Sequence, residues 1–145
     1  MLLGCDTGEQ EIIIAPRNYT GYIIVIFNQD DGQPVKYAGK KRVYEIPSDG
    51  VLKTQFNINN GWSDYPEFYY ETINPENRLP SKILSEIETL PTDTIVGFKG
   101  ATGSIRKNNY NDERVRFAKY YIGTRPDIKQ AKEEAEKLDI VKLEE

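Results

Sequence analysis

The run Tyr22-Ile23-Ile24-Val25-Ile26-Phe27 constrains this chain more than any other stretch of it. β-Branched and aromatic residues favour a pleated strand, in which successive side chains point to opposite faces. Ile24 and Ile26 then face one way, and Ile23, Val25 and Phe27 the other. A strand apolar on both faces needs cover on both, which predicts a central strand with packed layers above and below it. Glu11 to Ala15 reads as a second such strand, and Pro16-Arg17-Asn18-Tyr19-Thr20-Gly21 joins the two as a turn-rich connection.

The chain has 145 residues, which suits one domain with a short leader and a core that stands without disulfides or metals. Its single cysteine allows no internal disulfide. Histidine is absent. That removes Ser-His-Asp and Cys-His nucleophilic systems, imidazole acid–base chemistry and nearly every common zinc site. Carboxylates, tyrosines and lysines remain as candidate catalysts, and no metal or cofactor is expected. A net charge of −4 and a pI near 5.0, with basic residues read as scattered, argue against a nucleic-acid partner. No apolar run reaches the roughly 18 residues of a membrane span.

Further along, Asn28 to Pro34 reads as a turn whose acids lack the ligand spacing of a calcium loop. Arg42 to Phe56 predicts a β-hairpin: Pro47 ends one strand, Asp49-Gly50 turns the chain, and Val51 begins the return. Ile83, Leu84, Ile87 and Leu90 fit one face of a brief helix or irregular excursion between Pro80 and Pro91. Thr94 to Lys99 is an expected strand. Gly97, Gly100 and Gly103 read as a flexible turn rather than a phosphate loop, since no lysine precedes Ser104 and no helix opens there. Asn108 to Glu113 is a loop tip, and Val115 to Ile122 the last strand. Thr124 is placed to cap a helix over 125–138, whose thin apolar stripe of Ile128, Ala131, Ala135 and Leu138 would lid one side of the sheet. The expected fold is mainly β, a Greek-key, immunoglobulin-like or transthyretin-like β-sandwich of about seven strands with one C-terminal helix. Residues 1–10 would be leader and tether, and 11–145 a single domain.

Leu2-Leu3-Gly4-Cys5 resembles the cleavage box of a bacterial lipoprotein signal peptide, in which Cys5 becomes the lipidated residue. Polar Asp6 to Gln10 would follow as a disordered stalk. The stretches Asn18-Tyr19-Thr20-Gly21-Tyr22-Ile23-Ile24-Val25 and Arg42-Val43-Tyr44-Glu45-Ile46-Pro47-Ser48-Asp49-Gly50-Val51-Leu52-Lys53-Thr54 resemble an uncharacterised family of bacterial lipoproteins. The second stretch, preceded by Gly32-Gln33-Pro34-Val35, is also similar in its turn chemistry to transthyretin-like and carboxypeptidase-regulatory sandwiches. Neither resemblance brings catalytic residues. Together they imply an exported, non-enzymatic module, lipid-anchored in the cell envelope on the periplasmic or outer surface.

Gly61 to Glu71 concentrates five aromatics and three acids in eleven residues. Trp62, Asp64, Tyr65 and Glu67 are the candidate ligand-binding residues: aromatic faces stack on sugar rings or peptide side chains while carboxylates accept from hydroxyls. The same residues also fit a core tryptophan followed by an ordinary strand, Phe68 to Tyr70. The expected function is non-catalytic binding or structural work, with an unknown envelope protein or glycan as partner and the membrane met only through the lipid. Two alternatives stay open. One is a hydrolase of envelope glycans using two among Asp64, Glu67 and Glu71; the other is an inhibitor or immunity-type lipoprotein.

Overall fold

The computed structural model describes residues 8–61, 64–83, 88–90 and 92–145. The strands, in chain order, are β1 (Glu11–Ala15), β2 (Gly21–Ile26), β3 (Tyr37–Ala38), β4 (Lys41–Glu45), β5 (Val51–Lys53), β6 (Glu67–Tyr70), β7 (Arg78–Leu79), β8 (Ser81–Ile83), β9 (Val96–Arg106) and β10 (Arg114–Gly123). Two helices, α1 (Arg125–Glu136) and α2 (Ile140–Glu144), follow. The strands form two five-stranded sheets, β3-β4-β1-β6-β7 and β5-β2-β10-β9-β8. A mainly-β sandwich with helix at its C-terminal end is what the alternation of the strands required. Among the described residues ten strands form rather than about seven, since β3 and β7 are two-residue pairings and β8 a three-residue one, too short to leave a pattern.

The chain repeatedly crosses between the sheets. β1 lies in the first and β2 in the second; β4 lies in the first and β5 in the second. Successive crossings in one direction set neighbours parallel, so β1 pairs in parallel with β4 and β6, and β2 with β5. The hairpin expected from Arg42 to Phe56 is therefore an arch. Its turn is as read: the Gly50 N–H donates to the Pro47 carbonyl at 2.9 Å, and Gly50 takes φ +81°, which favours glycine. The same turn chemistry serves a hairpin and an arch, and partners distant in sequence decide between them.

Ile13, Ala15, Tyr44 and Phe68 of the first sheet meet Ile23, Val25, Leu52, Ala118, Tyr120 and Ile122 of the second to form the central core. On the far side of the second sheet, Ile24, Ile26, Phe98, Phe117 and Tyr121 pack under Ile128, Ala131, Ala135 and Ile140. β2 is thus covered on both faces. Thr124 caps α1, its side chain accepting from the Asp127 N–H while the Asp127 carboxylate accepts from the Thr124 N–H at 3.1 Å.

The glycines from Gly97 to Gly103 lie inside β9, not in a turn, and pair with β10 around a register shift opposite Lys119. Gly97 is needed there because a Cβ would overlap the Phe68 ring. Of the brief helix expected before Pro91, Ile83 closes β8 and Leu90 packs on the helix side of the second sheet. Residues 84–87 lie outside the described residues.

Candidate functional site

The register of the first sheet sorts its side chains. Ile13, Tyr44 and Phe68 point inward, so Ile12, Val43, Glu67, Tyr69 and Arg78 share the outer face. Ile12, Val43 and Tyr69 cluster there, with Ile14 and Ala38 against them. Ile12 is 2% exposed and Val43 1%, although among the described residues no helix packs on this face. Lys41 binds Glu67 Oε2. Because β1 lies between β4 and β6, this ion pair spans β1.

Glu67 Oε1 accepts from the Tyr69 hydroxyl at 2.8 Å and stands 3.7 Å from Arg78 Nη1. Burial pushes the Glu67 carboxyl up, but the Lys41 and Tyr69 hydrogen bonds and the two cations together hold it below the ordinary carboxylate range. Burial, then the bond to Glu67, pushes the Tyr69 hydroxyl above its usual range.

In front of this ion pair runs a groove of about 770 Å³. Gln10 and Lys41 line one side, Asp64, Tyr65 and Glu67 the middle, and Arg78 to Ser81 the other. Gln10 Nε2 donates to the Tyr65 carbonyl at 2.7 Å, which ties that segment to the start of β1. Tyr65 is 48% exposed. The groove therefore offers an aromatic side chain, a carboxylate, an amide and a half-exposed guanidinium, a set that suits a polar ligand bearing hydroxyl or charged groups.

Of the residues singled out from sequence, Asp64, Tyr65 and Glu67 line one groove, and Trp62 lies outside the described residues, as do Leu2 to Cys5. Phe68 to Tyr70 are strand: Phe68 is core, and the Tyr70 hydroxyl donates to the Tyr19 carbonyl at 2.7 Å. Glu71 does not line the groove; it accepts from Arg17 at 2.6 Å beyond the end of β6.

Glu9 and Gln10, expected in a stalk, are bonded into the domain. The Glu9 N–H donates to Asn59 Oδ1 at 2.8 Å, and Asn59 Nδ2 donates back to the Glu9 carbonyl at 2.7 Å. The Glu9 carboxylate accepts from Arg42 Nε at 2.5 Å and from the Tyr37 hydroxyl at 2.9 Å. The Arg42 hydrogen bond, with help from Tyr37, holds the Glu9 carboxyl below its ordinary value against burial. The reason is side-chain chemistry: a polar segment stays ordered when buried partners take up its charges.

Two sets of residues escaped the sequence reading. Lys40-Lys41-Arg42 is a run of three cations in a chain whose basic residues otherwise look scattered. Strand alternation sends Lys41 to the groove and Arg42 inward, over the Phe56 ring at 4.5 Å. That run was the available signal. Glu11 was read as part of an apolar strand, yet it faces the core and accepts from the Tyr44 and Tyr120 hydroxyls, each at 2.8 Å. Burial above all pushes both hydroxyls well up, so they stay protonated as donors.

Among the described residues no three or more acidic, Cys or His side chains come together as a metal site, and no helix is long and apolar enough to cross a membrane. Residues 7–126 match a family of unknown function, DUF6843. No curated protein matches the chain. A 2.75 Å crystal structure of a "putative lipoprotein" from Bacillus anthracis shares the fold, with a TM-score of 0.54 at 21% identity over 79% of this chain and 69% of that one.

Proposed function

We propose that this chain, which belongs to the DUF6843 family of unknown function, is a lipid-anchored envelope protein that works by non-catalytic binding through the groove on its first sheet. The Leu2-Leu3-Gly4-Cys5 box supports the anchor. Two or three acyl chains, palmitate among them, hold a protein stably on a bilayer where one is marginal. The likeness in fold to a protein described as a putative lipoprotein supports the same assignment.

One observation carries the binding surface: exposed Tyr65 stands beside Asp64 in front of a Lys41–Glu67–Arg78 array already fixed in place. Charges held by the fold before a ligand arrives lose little freedom on binding. An envelope glycan or the polar face of an envelope protein fits this chemistry. A carboxylate hydrolase would need one of its acids held protonated. Glu67 is held the opposite way, so it cannot be that acid, and Glu71 stands outside the groove.

Detergent-phase partitioning tests the anchor. The full-length product is expected in the detergent phase and Cys5→Ser in the aqueous one; equal partitioning ends the lipoprotein assignment. Trp62 is the only tryptophan, so its emission reports on the segment leading to the groove. Adding envelope glycan fragments is expected to shift that emission in wild type and much less in Tyr65→Ala, with unchanged unfolding midpoints. An equal shift in both would remove Tyr65 from the binding surface.

A further inference from the structure

We infer that the end of the first sheet bearing Gly8 and the Gly39-Lys40 turn lies against the lipid headgroups of the membrane that holds Cys5, with β1 and β4 running away from the bilayer. This rests on the anchor proposed above and adds an orientation to it. From Cys5 to Gly8 is three residues, an extended reach of about 10 Å. Beyond them no slack remains. Gly8 sits so close to Asn60 that a Cβ would come within 2.8 Å of its carbonyl oxygen, and Glu9 is held by Asn59, Arg42 and Tyr37. A domain pinned this near its anchor cannot stand off from the surface or turn its far end toward it.

The residues at this end suit that surface. β1 and β4 start together in parallel, Glu11 opposite Arg42, so the turn leading into β4 lies beside the chain entry. Gly8, Tyr37, Gly39 and Lys40 border a shared hollow of about 670 Å³. Lys40 is exposed and has no ion-pair partner among the described residues. Tyr37 is 45% exposed and belongs to the same edge. Tyrosine rings settle at headgroup level, and lysine reaches lipid phosphates on a flexible stem. Two of the acids nearby are already taken up, Glu9 by Arg42 and Glu67 by Lys41, which leaves Asp64 without an ion-pair partner among the described residues. Gln10, two residues from Gly8, also lines the groove and is bonded to Tyr65, so that side of the groove lies toward the bilayer.

The lone thiol allows a direct test. Isotope-labelled protein is coupled through Cys5 to a maleimide-bearing lipid in nanodiscs of phosphatidylcholine and phosphatidylglycerol, with a nitroxide on a fraction of the headgroups. Amide signals of Gly39 and Lys40 are expected to lose most of their intensity. Those of Asn18 and Gly50, at the opposite ends of β1 and β4, are expected to keep theirs. Equal broadening at both ends, or stronger broadening at Asn18 and Gly50, would overturn the orientation and leave the Gly39-Lys40 end free for a protein partner. The coupling is chemical, so failure here is distinct from failure of the partitioning test, which reads whether the cell lipidates Cys5 at all.

Discussion

The outer face of the second sheet is roofed by α1 and α2, whose Ile128, Ala131, Ala135 and Ile140 press on Ile24, Ile26, Phe98 and Phe117. Among the described residues, the outer face of the first sheet is framed instead by its own side chains, with Lys41 reaching across β1 to Glu67 and Tyr69 beside them. A helical roof buries apolar area and commits the face to stability. A roof of ion-paired side chains leaves charges aimed at solvent, held where a ligand can meet them. The proposed binding function puts recognition on the first sheet and support on the second.

Substitutions on the two faces can break this contrast. Ile128→Ala is expected to cost about 3 kcal/mol, because the fully buried side chain leaves a cavity between helix and sheet. Ile12→Ala, under the side-chain roof, is expected to cost less, about 2 kcal/mol, since its flexible neighbours can close in. Equal denaturation midpoints for the two variants would show that both roofs are equally rigid.

Lys41→Met keeps the stem and removes the charge. The pair is half-exposed on the lysine side, so the expected cost is about 1 kcal/mol at neutral pH. Its pH dependence sharpens the test. Glu67 is held below its ordinary value in the fold, so its stabilisation is present above the ordinary carboxylate range and is lost as the pH falls through the lowered value. The gap between wild type and Lys41→Met should accordingly close in acid; a gap independent of pH would mean that the ion pair contributes nothing. Lys40→Ala, at the exposed turn, should change stability by no more than about 0.5 kcal/mol.

Much of the scaffold was legible because it depends on local alternation. The two-faced character of Tyr22 to Phe27, the Thr124 cap and the Asn108 to Glu113 loop tip each follow from residues within a few positions of one another. What was not legible depends on distant partners. Nothing local in Arg42 to Phe56 says that its two strands join different sheets. Nothing near Gly97 announces the Phe68 ring that excludes a Cβ there. Glu11 looked misplaced in an apolar strand until Tyr44 and Tyr120, 33 and 109 residues away, supplied its donors. At the candidate site, Asp64, Tyr65 and Glu67 stood out as an acidic and aromatic cluster, whereas Lys41 and Arg78 come from strands on either side of β1 and β6 and join them only through the sheet order.

The division between a recognising sheet and a supporting one is tested most directly by photo-cross-linking in the native envelope. A photoreactive residue is placed at Tyr65, in the groove, or at Lys132, exposed on α1. Adducts with an envelope protein or glycan are expected from position 65 and not from position 132. Adducts from position 132 alone would contradict the assignment and move recognition to the helical face.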